Sequence, residues 1–180
     1  MKAPERIETD RLVIRRPQMT DAEAIFSRYA SDPEVTRYMA FPTHKSVADT
    51  HVFLAVSDSH WERWPAGPYL VHAREDGRLL GGTGLSFETP QRAMTGYVFA
   101  RDAWGQGYAT ESLRAMIDVA RHTGVERLYS VCHIDHHPSW KVLEKCKFLR
   151  EGILRRYFEF PNLSPGALSD VFCYSVILER

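Results

Sequence analysis

Residues 97–111, YVFARDAWGQGYATE, decide how the chain is read. An apolar, strand-like segment (Tyr97, Val98, Phe99, Ala100) leads through a short loop into Gly105, Gln106 and Gly107. Beyond them Ala109, Leu113, Met116, Ile117 and Ala120 recur at helical spacing. The pattern predicts a strand, a glycine-bearing turn and a helix N-terminus in succession. A helix start leaves backbone N–H groups without partners and carries the positive end of the macrodipole, so a phosphate is stabilised there without a cationic side chain. Glycines let the backbone turn tightly and let an anion approach the amides. The same letters also describe a plain structural turn, and Gly-x-Gly alone does not separate the two. A dinucleotide fingerprint is excluded because its third glycine is missing, and a P-loop because no Lys-Ser/Thr pair follows.

Bulk properties limit how an anion could be held. With 23 basic and 23 acidic residues the formal charge is zero, which gives no support to nucleic-acid or membrane-surface binding. An anionic ligand must then be gripped locally. A length of 180 residues suits one domain, here residues 1–180, with a full core. The opening MKAPERIETDR has no apolar stretch of signal-peptide length, and no run approaches a membrane span, so a cytoplasmic location is expected. Cys132, Cys146 and Cys173 are odd in number and lack C-x-x-C spacing, which argues against a disulfide framework.

Outward from the central stretch, periodicity predicts an α+β chain with a mixed, mostly antiparallel sheet. Leu12, Val13 and Ile14 form a β-like run. Thr20 with Glu23 and Ser31 with Glu34 have capping-box spacing and predict two short helices, the second with Pro33 in its first turn. Ser46 with Asp49 starts a longer helix that ends before Pro65, with Trp61 and Trp64 as core anchors. Residues 69–73 and 79–87 read as an antiparallel hairpin, and Gly81, Gly82 and Gly84 within it suggest a bulge or close backbone approach. A strand over 127–133, a helix from Pro138 to Cys146, and two long strands over 148–160 and 168–178 complete the chain. The aromatic loop from Tyr38 to His44 fits either core-edge packing or the wall of a cleft.

Residues 104–111, WGQGYATE, resemble the acyl-CoA pyrophosphate loop of the GNAT N-acetyltransferases, Arg/Gln-x-x-Gly-x-Gly/Ala, with Trp104 at the first position. Tryptophan there is typical of the branch that acetylates ribosomal-protein N-termini, the RimJ/RimL-like branch. Three further stretches resemble the same branch: TDRLVIR at 9–15, SDPEV at 31–35, and Ser139 with Val142, Leu143, Glu144, Lys145 and Phe148. The resemblance implies the GNAT fold, with flanking helices and a splayed central strand pair, the gap falling between 93–100 and 127–133. It implies acetyl-CoA as cosubstrate, held by Tyr97, Val98, Phe99, Gly105, Gln106, Gly107, Tyr108, Ala109, Thr110, His136 and Ser139. In that arrangement the pantetheine arm pairs with backbone near Phe99, and an N–H near Tyr97 faces the thioester oxygen. Ser139 matches the serine that protonates the departing thiolate, so Ser139 and Tyr97 are the catalytic candidates. A first-turn serine that merely satisfies an amide accounts for the residue type equally well.

The implied reaction is direct transfer to a primary amine, on a protein N-terminus or a small molecule, by a monomer or homodimer. A non-catalytic acyl-CoA-binding or regulatory domain and a structural interaction module are the rivals. Deprotonating an α-amine of pKa about 8 at pH 7 costs roughly 1.4 kcal/mol, against roughly 4.6 kcal/mol for a lysine of pKa about 10.4, so the α-amine needs the weaker base. The base itself is unassigned. Family members often carry a glutamate where this chain has Met94, and Glu88, His72, His133 and Asp135 are the alternatives. Two other departures are His136 for a family asparagine and Lys147 for a glycine. Lys141, Lys145, Lys147 and Arg150 fit either a 3′-phosphate contact or a solvated face. The cluster Cys132, His133, Asp135, His136 and His137 matches no standard zinc spacing, so no metal is expected, and no cysteine has the context of a nucleophile.

Overall fold

The strands Arg6–Glu8 (β1) and Leu12–Arg15 (β2) open the chain as an antiparallel pair. At three residues β1 is too short for alternation to reveal it. The computed structural model describes residues 1–179. Ala22–Ile25 (α1) runs into a π-helical turn over Phe26–Ala30, and Pro33–Thr36 (α2) and Val47–Arg63 (α3) follow. Pro68–Ala73 (β3), Leu79–Thr89 (β4) and Arg92–Phe99 (β5) form an antiparallel meander. Tyr108–Thr123 (α4), Arg127–His133 (β6), His137–Lys145 (α5), Leu149–Glu159 (β7) and Leu168–Ile177 (β8) complete it. The strands make one eight-stranded sheet in the order β1-β2-β3-β4-β5-β6-β8-β7. The α+β expectation holds.

The helix of the central stretch is set by its apolar stripe. Leu113, Met116 and Ala120 of α4 have no exposed surface and pack into the main core with Leu80, Leu128 and Tyr174. Full burial of a leucine- or methionine-sized side chain stabilises by roughly 1.5–3 kcal/mol, which fixes this helix on the sheet. Gly124, in the left-handed region at φ 84°, ends α4. On β4, Gly81 is there because a Cβ would lie 2.0 Å from the carbonyl oxygen of Val98 on β5. A side chain would push apart the two strands that carry the site.

Two helix starts differ from the capping-box expectation. Gln18 and Asp21, not Thr20 and Glu23, make the reciprocal cap ahead of α1. Before α2 the cap is Asp32, whose carboxylate accepts from the N–H groups of Glu34 (2.9 Å) and Val35 (3.4 Å). Pro33, with its fixed φ and no N–H to satisfy, defines the first helical position, so its predecessor becomes the cap. The Ser31 hydroxyl turns back to the Phe26 carbonyl at 2.7 Å and closes the π-turn.

At the end of α5 the lysine found in place of glycine sits at φ 67°. The N–H of Lys147 donates to Glu144 and that of Phe148 to Leu143, the latter a six-residue closure that demands a left-handed residue. The departure thus leaves the helix end intact at an energetic cost. Lys147→Gly is expected to stabilise the protein by about 1 kcal/mol, which a thermal melt would register as a rise of roughly 2–4 °C.

Sheet topology positions the site. Among the described residues the only parallel pair, β5 with β6, is registered through Arg92–Arg127, Ala93–Leu128 and Met94–Tyr129 and then stops. β6 continues against β8 as far as His133–Val171. Past Met94 the two strands diverge, which opens the expected gap and leaves one backbone edge of β5 without a strand partner.

Candidate active site

The loop before α4 presents an open anion cradle. Gly107 at φ 82° is the N-cap residue of α4, and Gly105 stands at φ 72°. Both need the left-handed region that glycine enters without penalty. Among the described residues, the N–H groups of Gly105, Gln106, Gly107, Tyr108, Ala109 and Thr110 donate to no acceptor within the chain. Gly105, Gln106 and Gly107 are exposed and the next three residues partly so. The corner is not plugged. The Gln106 side chain is already used, donating to the Asp102 carbonyl at 2.6 Å, so only its backbone N–H faces outward.

This cradle is braced from the far end of the sequence. The Arg11 guanidinium donates to Glu111 on α4 at 2.7 Å and to the Gln106 carbonyl at 2.8 Å, and it lies 4.8 Å from the Tyr108 ring. The Thr9 hydroxyl and the Arg11 N–H also donate to Glu111, at 2.6 and 2.9 Å. Burial works against the charge on Glu111, yet the bonds from Thr9 and Arg11 outweigh it and hold its pKa below the usual carboxylate range. The TDR stretch therefore fixes the angle at which α4 leaves the loop. Trp104 does related work, its indole N–H donating to the Phe99 carbonyl at 2.7 Å. That bond engages one carbonyl which the sequence left for the pantetheine arm. Tyr97 and Val98 remain beside the gap.

Across the gap, α5 brings Ser139 against β5. The Tyr97 hydroxyl donates to the Ser139 carbonyl at 2.7 Å and lies 3.2 Å from Ser139 Oγ. Burial raises the Tyr97 pKa, so it stays protonated. With its one proton given to a carbonyl, Tyr97 is left as an acceptor towards Ser139.

Between the diverging strands lies a cavity of about 260 Å³. Met94 to Val98 of β5, Ser130 to Cys132 of β6, and Ser139 form its inner wall. Tyr29 from the π-turn, Tyr38 and Phe41 from the aromatic loop, and Phe158 and Phe160 near the end of β7 are among the residues that face them. The aromatic loop is thus a cleft wall. Asn162 secures it, accepting from the Thr43 N–H and donating to the carbonyls of Thr36 and Phe41, each at 2.8 Å. No local pattern could have singled out Asn162, because its partners lie far away in the chain.

His136 caps α5 and faces this cavity, stacked on Tyr38 with ring centroids 4.5 Å apart. Burial, with His133 and His137 nearby, pushes its pKa down to about 4 from the usual 6.5. The unfolded chain therefore takes up a proton between about pH 6.5 and 4 that the folded chain refuses. Stability contributed by neutral His136 is complete above that window and is lost as pH falls through it, by up to roughly 3 kcal/mol. Urea melts at pH 7 and pH 4.5 should show a markedly smaller pH penalty for His136→Asn than for the parent.

None of the expected base candidates lines the cavity. Glu88 accepts from the Tyr129 hydroxyl and pairs with Arg92 at 2.6 Å. His72 lies beside Arg15, and burial lowers its pKa. His133 Nδ1 accepts from the N–H of Asp135, which is itself exposed. The titratable rings that do line it are tyrosines, His136 and His44, whose Nδ1 lies 2.8 Å from Thr50 Oγ1 and whose pKa burial lowers. Among the described residues no group of three or more His, Cys, Asp or Glu is placed to hold a metal. The Lys141–Arg150 run does not act as one surface: Arg150 stacks on Phe172 at 4.4 Å and pairs with Glu144 at 3.3 Å.

An open amide cradle at a helix head beside a splayed parallel pair has a counterpart in known families. The acetyltransferase (GNAT) domain matches residues 11–149. The chain belongs to the GNAT acetyltransferase family. The uncharacterized N-acetyltransferase p20 of Bacillus licheniformis is 28% identical over 176 residues, covering 96% of each chain. Among solved structures, the microcin C7 self-immunity acetyltransferase MccE, in complex with acetyl-CoA and AMP, superposes with a TM-score of 0.85 at 19% identity over 97% of each chain. RimL, a ribosomal L7/L12 alpha-N-protein acetyltransferase, superposes at 0.83 with 23% identity, covering 97% of this chain and 94% of its own. At those identities the two structures establish the fold. The family makes this GNAT chain an N-acetyltransferase that uses acetyl-CoA as cosubstrate. No helix among the described residues is long and apolar enough to cross a membrane.

Proposed function

We propose that this GNAT enzyme transfers the acetyl group directly to a primary amine, the α-amine of a protein N-terminus or a small amine, as in the RimJ/RimL-like branch. The observation that carries this is the row of unengaged N–H groups from Gly105 to Thr110 at the head of α4, beside the gap between β5 and β6. Those amides suit a diphosphate, and the free edge of β5 at Tyr97 and Val98 suits an extended arm. Acetyl-CoA supplies an activated acyl carbon and a thiolate leaving group. A backbone N–H near Tyr97 stabilises the developing oxyanion, and Ser139 delivers the proton to the leaving sulfur. Tyr97 positions Ser139 through the bond to its carbonyl. His136 borders the reacting end as a neutral ring.

The absence of a carboxylate from the cavity lining supports an acceptor that gives up its proton readily. An α-amine of pKa about 8 does so at pH 7 for roughly 1.4 kcal/mol, a cost that water or a weak base can carry. Incubation with acetyl-CoA and an amine panel, followed by thiol release and mass spectrometry, tests the reading. Stoichiometric free CoA and a one-acetyl mass gain on the amine are expected. Tight acetyl-CoA binding with no turnover on any amine would instead mark an acyl-CoA-binding module.

A further inference from the structure

We propose that the acceptor is a primary amine carried on an uncharged, largely apolar body, and that polyamines and lysine-bearing acceptors are rejected. The inference rests on the transferase reading above and adds the substrate class. Its basis is the composition of the cavity wall. Among the described residues not one Asp, Glu, Lys or Arg lines the cavity, although these types make up 26% of the chain. Its lining includes the aromatic rings of Tyr29, Tyr38, Phe41, Phe53, Phe158 and Phe160.

The carboxylates whose charge reaches the wall, Asp21 at Tyr29 and Asp49 at His44, are already engaged, by Arg15 at 2.6 Å and by the N–H groups of Lys45 and Ser46 at 2.8 and 3.1 Å. Met94 lines the inner wall as an uncharged thioether, so β5 offers no anion there to a second ammonium. Burial lowers the pKa of both histidines in the wall, His44 and His136, so they are uncharged at pH 7. The guanidinium of Arg37 lies 5.4 Å from the Tyr38 ring and adds positive charge near this wall. A primary ammonium is a compact, strongly hydrated charge, and a second one brought into such a cavity loses its water without gaining an anion. The reacting amine fares differently. It has to be neutral to attack, and an apolar surround favours that neutral form. The cavity therefore selects the reactive state of one amine and penalises any further charge. Asn162 ties the loop that carries Tyr38 and Phe41 to the segment after β7, which holds that part of the aromatic wall against the cavity.

The chemistry is shared by small arylalkyl or alkyl amines and by peptides whose first side chain is apolar, and the assay separates these sources. Values of kcat/KM at saturating acetyl-CoA would be compared for phenethylamine, a Phe-initiated tripeptide amide, a Lys-initiated tripeptide amide and spermidine. Compared like with like, the Phe-initiated peptide should exceed the Lys-initiated one, or phenethylamine should exceed spermidine, by at least about tenfold. Whichever of the two apolar acceptors is preferred identifies the source. Calorimetry on the CoA-saturated protein gives a readout independent of turnover, with phenethylamine binding and spermidine not. Met94→Glu supplies the missing anion and should narrow the preference by at least about fivefold in favour of spermidine. Spermidine or the Lys-initiated peptide acetylated as well as the apolar amines would overturn the proposal while leaving the transferase reading intact. Failure to acetylate any amine would remove both.

Discussion

Gly107→Val is expected to raise the KM for acetyl-CoA by at least about tenfold while the far-UV circular dichroism stays that of the parent. Gly107 holds φ 82°, a region that costs a residue with a Cβ roughly 1–2 kcal/mol and a β-branched residue more. Relaxing that strain rotates the peptide planes on either side, and with them the N–H groups at the head of α4. The brace from Thr9 and Arg11 to Glu111 holds the first turn of α4 from outside the loop, so the helix itself persists. A loss of about 1.4 kcal/mol in diphosphate binding already amounts to tenfold. Saturating acetyl-CoA should restore most of kcat, because the residues at the sulfur are untouched. An unchanged KM would mean that the diphosphate is held elsewhere.

Ser139→Ala is expected to lower kcat by about a hundredfold with little change in the KM for acetyl-CoA. General acid catalysis is typically worth ~10²–10⁴ in rate. In the proposed roles serine carries the mobile proton, since Tyr97 gives its own to the Ser139 carbonyl. Tyr97→Phe should therefore cost less, on the order of tenfold, by loosening the first turn of α5. The two changes should combine to less than the product of their separate effects, because the hydroxyls touch at 3.2 Å. Steady-state kinetics on the two single variants and the double variant tests this. Equal and multiplicative losses would point to two independent proton donors.

Features that depend on neighbours in sequence were legible before any coordinates. The β-like run of β2, the hairpin of β3 and β4, the apolar stripe of α4 and the glycines at 105 and 107 are local, and each occupies the element expected of it. The helix starts were displaced because Gln18 and Asp21 make the first reciprocal cap, and because Pro33 makes Asp32 the cap of α2. The site was legible only along its motif. That Thr9 and Arg11 exist to hold Glu111, that Asn162 anchors the Tyr38–Phe41 wall, and that His44 rather than His72 or His133 lines the cavity all depend on contacts across the sheet. Such contacts leave no periodic trace. Met94 was noticed as a missing base, but its consequence, an uncharged cavity, emerges only when the other walls are seen to be uncharged too.

The most direct test of the account is an amide NMR titration of the protein with CoA and, separately, with pantetheine, which lacks the diphosphate. CoA should produce the largest downfield shifts at the N–H groups of Gly105, Gln106, Gly107, Tyr108, Ala109 and Thr110, as expected of amides that gain an anionic acceptor. Pantetheine should leave those signals in place and move only residues of β5 around Tyr97. If CoA binds and these amides do not move, the head of α4 is not the anion site and the account is wrong.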